Sequence, residues 1–177
     1  EPAVYGLGSN DSAALASGNY NFESMDVDSN AILTITGPAT IMVGNFNLDS
    51  NSKIVIDATN GPVTFYGTGP FRIDSNAEMS STSQKPSDLS IQIDYASSSG
   101  PGSQVKVDSN AAFYGTIYAP KAEIRIDSNA RFYGAMVGKS VDIDSNAGFH
   151  YDEALGRMNK GQSTITVVSW RYVEGGP

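Results

Sequence analysis

Apolar and polar residues alternate along this chain in short runs, and the same three residues repeatedly interrupt the alternation. The cleanest copy is Ile124-Arg125-Ile126-Asp127-Ser128-Asn129-Ala130-Arg131-Phe132-Tyr133-Gly134. An apolar–x–apolar triplet precedes every Asp-Ser-Asn: Met25/Val27, Phe46/Leu48, Phe71/Ile73, Val105/Val107, Ile124/Ile126 and Val141/Ile143. A small residue follows each one, Ala31, Ser52, Ala77, Ala111, Ala130 or Ala147. Two residues later the chain is apolar again at Leu33, Ile54, Met79, Phe113, Phe132 and Phe149. Period-two alternation marks a strand with one buried face, so each triplet points its outer residues inward and its middle residue out. Asp-Ser-Asn then turns the chain. Asp accepts hydrogen bonds from backbone N–H groups two residues on, and Asn tolerates the left-handed conformation of a sharp corner. The small residue lets the walls of neighbouring coils approach.

The six corners begin at Asp28, Asp49, Asp74, Asp108, Asp127 and Asp144, at intervals of 21, 25, 34, 19 and 17 residues. Intervals near 20 residues are too short for a propeller blade and lack the leucine framework of leucine-rich repeats. They fit one turn of a stack in which each coil covers its neighbour's edge. The predicted fold is all-β: a single-stranded parallel β-helix, or β-solenoid, of about six to seven coils. Crossovers between parallel strands are nearly always right-handed, so the coil should be too. At ~4.8 Å per coil the corners mark a prism roughly 30 Å long.

One domain is expected, in three parts. Residues 1–21, rich in Gly, Ala and Ser, read as an N-terminal cap against edge-to-edge pairing. Residues 22–151 form the solenoid, with long loops around 80–88 and 96–103 flanking the strand Leu89–Tyr95. Residues 152–177 read as a C-terminal cap: a short helix after Asp152, then a strand from Ser163 to Tyr172 carrying Trp170. Phe113, Phe132 and Phe149 should stack inside the coils, with Tyr114, Tyr133 and His150 stacked beside them.

The net charge of −8 disfavours nucleic acid, which calls for a basic face. No cysteine is present, so disulfides and thiolate metal sites are excluded, and one histidine gives little basis for tight zinc. No apolar run reaches the ~20 residues of a membrane span, so no membrane contact is expected of this segment. Starting at Glu1 without methionine or signal sequence, it reads as a fragment or mature form whose anchor lies elsewhere.

Ala112-Phe113-Tyr114-Gly115, Ile117-Tyr118-Ala119-Pro120, Phe132-Tyr133-Gly134-Ala135, Val137-Gly138-Lys139, Phe149-His150-Tyr151-Asp152-Glu153-Ala154-Leu155 and Val168-Ser169-Trp170-Arg171 follow one another in that order. Together with Lys85-Pro86-Ser87-Asp88-Leu89, the series resembles the C-terminal β-helix domain of bacterial exported proteins similar to the PilX proteins of type IV pilus assembly. The likeness spans roughly Lys85 to Arg171. That family usually has Ser-Gly-Asn at the corner, where this chain has Asp-Ser-Asn. The resemblance implies export, an extracellular or cell-surface location (periplasmic as a variant), pilus or cell-surface partners, and no catalytic residues.

Two rows invite chemistry. Stacked corner aspartates would lie about 5 Å apart and repel by ~1–3 kcal/mol per pair. The leading reading fixes each Asp within its own turn, with the Asn residues forming a ladder. The alternative is Ca2+ bridging Asp28, Asp49, Asp74, Asp108, Asp127 and Asp144, although the glycine-rich nonapeptide of calcium-bearing β-rolls is absent. The second row holds the outward triplet residues Asp26, Asn47, Arg72, Lys106, Arg125 and Asp142. Arg72, Lys106 and Arg125 could face an acidic polysaccharide, as in a lyase that removes a proton beside a uronate. Solvated charges with weak pairs to Glu78 or Glu123 are the plainer reading. His150 beside Asp152 reads as structural. The functional expectation is a non-catalytic exported module, structural or adhesive, without a cofactor. A polysaccharide lyase or a calcium-stabilised polysaccharide-binding module stands as the alternative, and oligomers could form through the end coils.

Overall fold

Each triplet and each run after a corner becomes a strand in the computed structural model, which describes residues 2–96 and 104–157. The chain opens with β1 (Ala3–Leu7) and β2 (Ser12–Leu15), continues through β3 (Gly18–Val27) and β4 (Ile32–Thr36), and then β5 (Ala39–Leu48) and β6 (Lys53–Asp57). The next turn comprises β7 (Val63–Gly67), β8 (Phe71–Ile73) and β9 (Glu78–Ser81). After it come β10 (Leu89–Ile93), β11 (Val105–Val107), β12 (Ala112–Ile126), β13 (Arg131–Ile143) and β14 (Gly148–Tyr151). These fourteen strands form one continuous sheet, and their pairings are parallel. The result is the expected β-solenoid, of about seven coils.

The coils have three walls, of which the last described coil shows two. The triplets form the first: Phe46 is level with Phe71, Val105 with Phe71 and Ile124 with Val105. The runs after the corners form the second, where Leu33 is level with Ile54 and Phe113 with Phe132. The third closes the turn, with Ile41 level with Phe65 and Ile91 with Ile117. β12 and β13 are long because in each the chain passes from the second wall through the third to the first without a break. The extra residues of the longest interval leave the stack undisturbed, since Lys106 still pairs with Arg72 below and Arg125 above.

Inward residues from all three walls fill the prism. Phe46, Phe65, Phe71, Phe113 and Phe132 are fully buried, and each such side chain contributes about 1.5–3 kcal/mol. Phe46 stacks on Phe71 with ring centroids 4.0 Å apart. The predicted file of Phe113, Phe132 and Phe149 is present, with spacings of 5.0 and 5.5 Å, but only Phe113 and Phe132 are buried, Phe149 in the last described coil being 40 % exposed. At Gly134 the backbone adopts φ +140°, and a Cβ would run into the Gly115 carbonyl of the coil below. Only glycine lets the two coils close there.

The segment 1–21 is not a separate cap. β1 and β2 form a coil in register with the next, Leu7 level with Val27 and Ala13 with Leu33. Its corner at Asn10 has the same left-handed residue as the other six, but Gly8 stands where they carry aspartate. The loop around 80–88 is narrower than expected: Ser80 and Ser81 are buried at the end of β9, Pro86 is buried, and residues 82–85 are exposed. After Asp152 the described chain makes a single 3-10 turn, Leu155–Arg157, begun by the Ala154 N–H donating to Asp152 Oδ1 at 2.9 Å. Most of the loop 96–103 and the expected strand from Ser163 to Tyr172 lie outside the described residues. Among the described residues no helix is long and apolar enough to cross a membrane.

Candidate functional site

The corner builds itself from three residues. Asn30, Asn51, Asn76, Asn110, Asn129 and Asn146 have φ between 59° and 62°. The N–H after each Asn donates to the Asp carbonyl, as Ala111 does to Asp108 at 3.0 Å, closing a four-residue turn. Positive φ at its third position is the left-handed geometry that Asn accepts at low cost. The Asn N–H itself points along the stack, Asn110 donating to the Ser128 carbonyl at 3.2 Å and Asn76 to Ser109 at 3.1 Å. The corner ladder therefore runs through the backbone. This also explains why Asp108 receives the N–H of the next residue, Ser109, at 2.7 Å. The donor two residues on, expected from the sequence, already serves the neighbouring coil.

The aspartate column and the triplet-middle column lie side by side, because residues two apart on a strand share a face. Arg72 Nη2 is 3.0 Å from Asp74 and 4.0 Å from Asp108. Lys106 Nζ is 2.8 Å from Asp108 and 2.9 Å from Asp127. Arg125 reaches Asp127 at 2.6 Å through Nε and Asp144 at 3.7 Å through Nη2. Each cation thus joins the aspartate of its own coil to that of the next. Seven charges alternate along one edge: Asp74, Arg72, Asp108, Lys106, Asp127, Arg125, Asp144. The cation row lies against the corner aspartates rather than standing apart as solvated charge. Further down, the cation is replaced by an amide, Asn47 Nδ2 donating to Asp49 at 2.7 Å. At Asp28 and Asp144 the residue two positions upstream is acidic, Asp26 or Asp142.

The centre of the ladder is its least exposed part. The side chains of Lys106, Asp108 and Asp127 are 21, 17 and 13 % exposed. Partial burial works against the Lys106 ammonium, but hydrogen bonds and charge attraction from Asp108 and Asp127 outweigh it, holding the ammonium above its ordinary range. Burial pushes Asp127 up, and its bonds to Lys106 and Arg125 pull it further down, to a net value below the carboxylate range. Arg72 engages through Nη2 and leaves Nε buried without a hydrogen-bond partner among the described residues.

Chemically this edge is a strut. A general base must be free of its proton near working pH, and Lys106 is held protonated. Ca2+ takes six to eight oxygens. Among the described residues no group of three or more His, Asp or Glu side chains is disposed to hold a metal ion.

Two other outward features stand apart from the strut. On the second wall Tyr114, Tyr133 and His150 stack as expected, with centroids 4.4 and 4.7 Å apart and planes within 10°. They border an open groove with Gln84, Pro86 and Asp152. Burial, then the neighbouring Tyr133, raises the Tyr114 hydroxyl above its usual range. The third wall has two straight outward columns that sequence reasoning missed. One holds Asn19, Thr40, Thr64, Ser90, Thr116 and Ala135, and its neighbour Asn21, Met42, Tyr66, Gln92, Tyr118 and Val137. The alternation Thr64-Phe65-Tyr66 and Thr116-Ile117-Tyr118 was the signal available for it.

A family model described as a domain of unknown function (DUF7305) matches residues 4–158, most of the chain. No curated protein and no solved structure matches.

Proposed function

We propose a function from one premise: the chain belongs to the DUF7305 family, whose description names no activity. It acts as a rigid, non-catalytic module of an exported protein, structural or adhesive, displayed at the cell surface or on a pilus. The observation that carries this reading is the alternating charge ladder. The side chains best equipped for chemistry, Lys106 and its aspartates, are engaged in joining coils. What the third wall presents outward is in-register rows of neutral and aromatic side chains on a stiff frame, an arrangement suited to presentation. Export and pilus association rest on the resemblance of Lys85 to Arg171 to PilX-like proteins.

The test has two arms. Purified chain is incubated with polyuronates while the absorbance of unsaturated products is followed, and no turnover is expected. Turnover abolished by Lys106→Ala would overturn the non-catalytic reading in favour of a lyase. Antibody labelling of intact producing cells should reach the chain, and a purely cytoplasmic pool would overturn export.

A further inference from the structure

Among the described residues, the third wall has two outward columns that carry no charge, on a chain of net charge −8, with the exposed Asp94–Lys121 ion pair at their margin. The first wall carries the ladder, and the second carries Lys53, Glu78 and Arg131. On the third wall, Met42, Tyr66, Tyr118 and Val137 are 50, 41, 54 and 50 % exposed, an apolar stripe beside a column of hydroxyls. Exposed apolar surface with a polar margin marks a contact site. Between Tyr66 and Tyr118 lies a hollow of about 220 Å3, floored by Gln92 and Ile93 and bordered by Pro120 and Asp94. Gln92 is level with both tyrosines, so the two rings stand two coils apart, about 9.6 Å by strand spacing.

From this arrangement we infer that the third wall binds a neutral, extended glycan, lying along the coil axis with its sugar rings on Tyr66 and Tyr118. The faces of the two tyrosine rings suit the C–H faces of pyranoses, and their hydroxyls remain wet. Gln92 offers both amide donors and an acceptor, Thr64 and Ser90 offer hydroxyls that serve as either, and Thr116, whose hydroxyl donates to the Leu89 carbonyl, offers an acceptor. A two-coil spacing is close to a disaccharide repeat in an extended β-linked chain. The groups sit on a continuous sheet, so little ordering is needed on binding.

A protein occupant fits less well. The wall measures roughly 24 by 16 Å, about 400 Å2 by strand spacing and rise, against the ~800 Å2 per partner of a stable protein interface. An acidic glycan would meet the chain's negative charge, and Lys121 beside the hollow is already paired with Asp94.

This inference rests on the presentation reading, but the two fail separately. The experiment titrates the full chain with cellohexaose and chitohexaose by calorimetry, with polygalacturonate as the charged contrast. Binding of at least one neutral hexasaccharide is expected, weakened tenfold or more in Tyr66→Ala/Tyr118→Ala and largely kept in Tyr66→Phe/Tyr118→Phe. Tyr114→Ala/Tyr133→Ala, in the separate stack of the second wall, should bind like the parent. Both tyrosines are exposed, and unchanged melting curves verify that the variants fold. Absence of neutral binding, binding indifferent to Tyr66 and Tyr118, or preference for polygalacturonate would each overturn the inference. So would a dimer in sedimentation velocity that Tyr118→Ala dissolves, which would make the occupant a second copy. None of these results involves polyuronate turnover or cellular location, on which the presentation reading stands or falls.

Discussion

Replacing Lys106 with methionine removes one charge from the middle of the ladder while keeping most of the side chain's volume. Two carboxylates, Asp108 and Asp127, then lose a cation held at 2.8 and 2.9 Å. At an effective dielectric of about 20, each contact carries on the order of 5 kcal/mol before desolvation and side-chain entropy are subtracted. Exposed pairs retain about 0.2–1 kcal/mol of this, whereas removing one partner of a buried pair costs about 3–5. Exposures of 21, 17 and 13 % lie nearer the buried limit, so we expect Lys106→Met to destabilise by about 2–3 kcal/mol. For a chain of this size that is a fall in Tm of roughly 5–10 °C, measured by circular dichroism at low salt. Lys53→Met serves as the contrast, because the Lys53–Glu78 pair at 3.1 Å is 41 and 33 % exposed; it should cost under about 1 kcal/mol. The gap should also depend on pH. Asp127 is depressed in the folded state, so its contribution is present above the unfolded value of about 3.9 and is lost as pH falls through the lower folded value. Lys106 is raised, so its contribution is present below about 10.4 and is lost as pH rises through the higher folded value. Parent and Lys106→Met should therefore differ most near neutrality and converge in strong acid and strong base. A Tm within about 1 °C of the parent at pH 7, or a gap that does not change with pH, would refute the ladder as a source of stability.

Other substitutions probe the corner and the core. Asn110→Ala should cost about 1–2 kcal/mol for placing an ordinary side chain at φ 60°, while Asn110→Gly should stay close to the parent in urea melts. Phe71→Ala, in a buried stack 4.0 Å from Phe46, should cost about 3–5 kcal/mol in the same melts. Chelator should leave the Tm unchanged, since the central aspartates already have cations within the chain; a fall on adding EDTA would restore the Ca2+ reading of the corners.

Much of this protein can be read from its sequence because a strand's period and a corner's chemistry are local. Apolar–x–apolar before Asp-Ser-Asn determined which side chains point inward, and Asn determined where the backbone turns left-handed. Fixed offsets from each corner even aligned the files Phe113–Phe132–Phe149 and Tyr114–Tyr133–His150. Sequence reasoning gave the cations weak pairs to Glu78 or Glu123, although Lys106 and Asp108, two apart in the chain, were the signal for the partnership within one coil. What tertiary structure alone decided is contact between coils. Lys106 reaches Asp127 only because the stack brings the two coils into register, whatever the interval between their corners. The same stacking turned Tyr66, Gln92 and Tyr118, far apart in the chain, into one neutral column. Alternation along a strand is written by neighbouring residues, whereas the sign and polarity of a whole wall arise only when backbone hydrogen bonds set one coil upon the next.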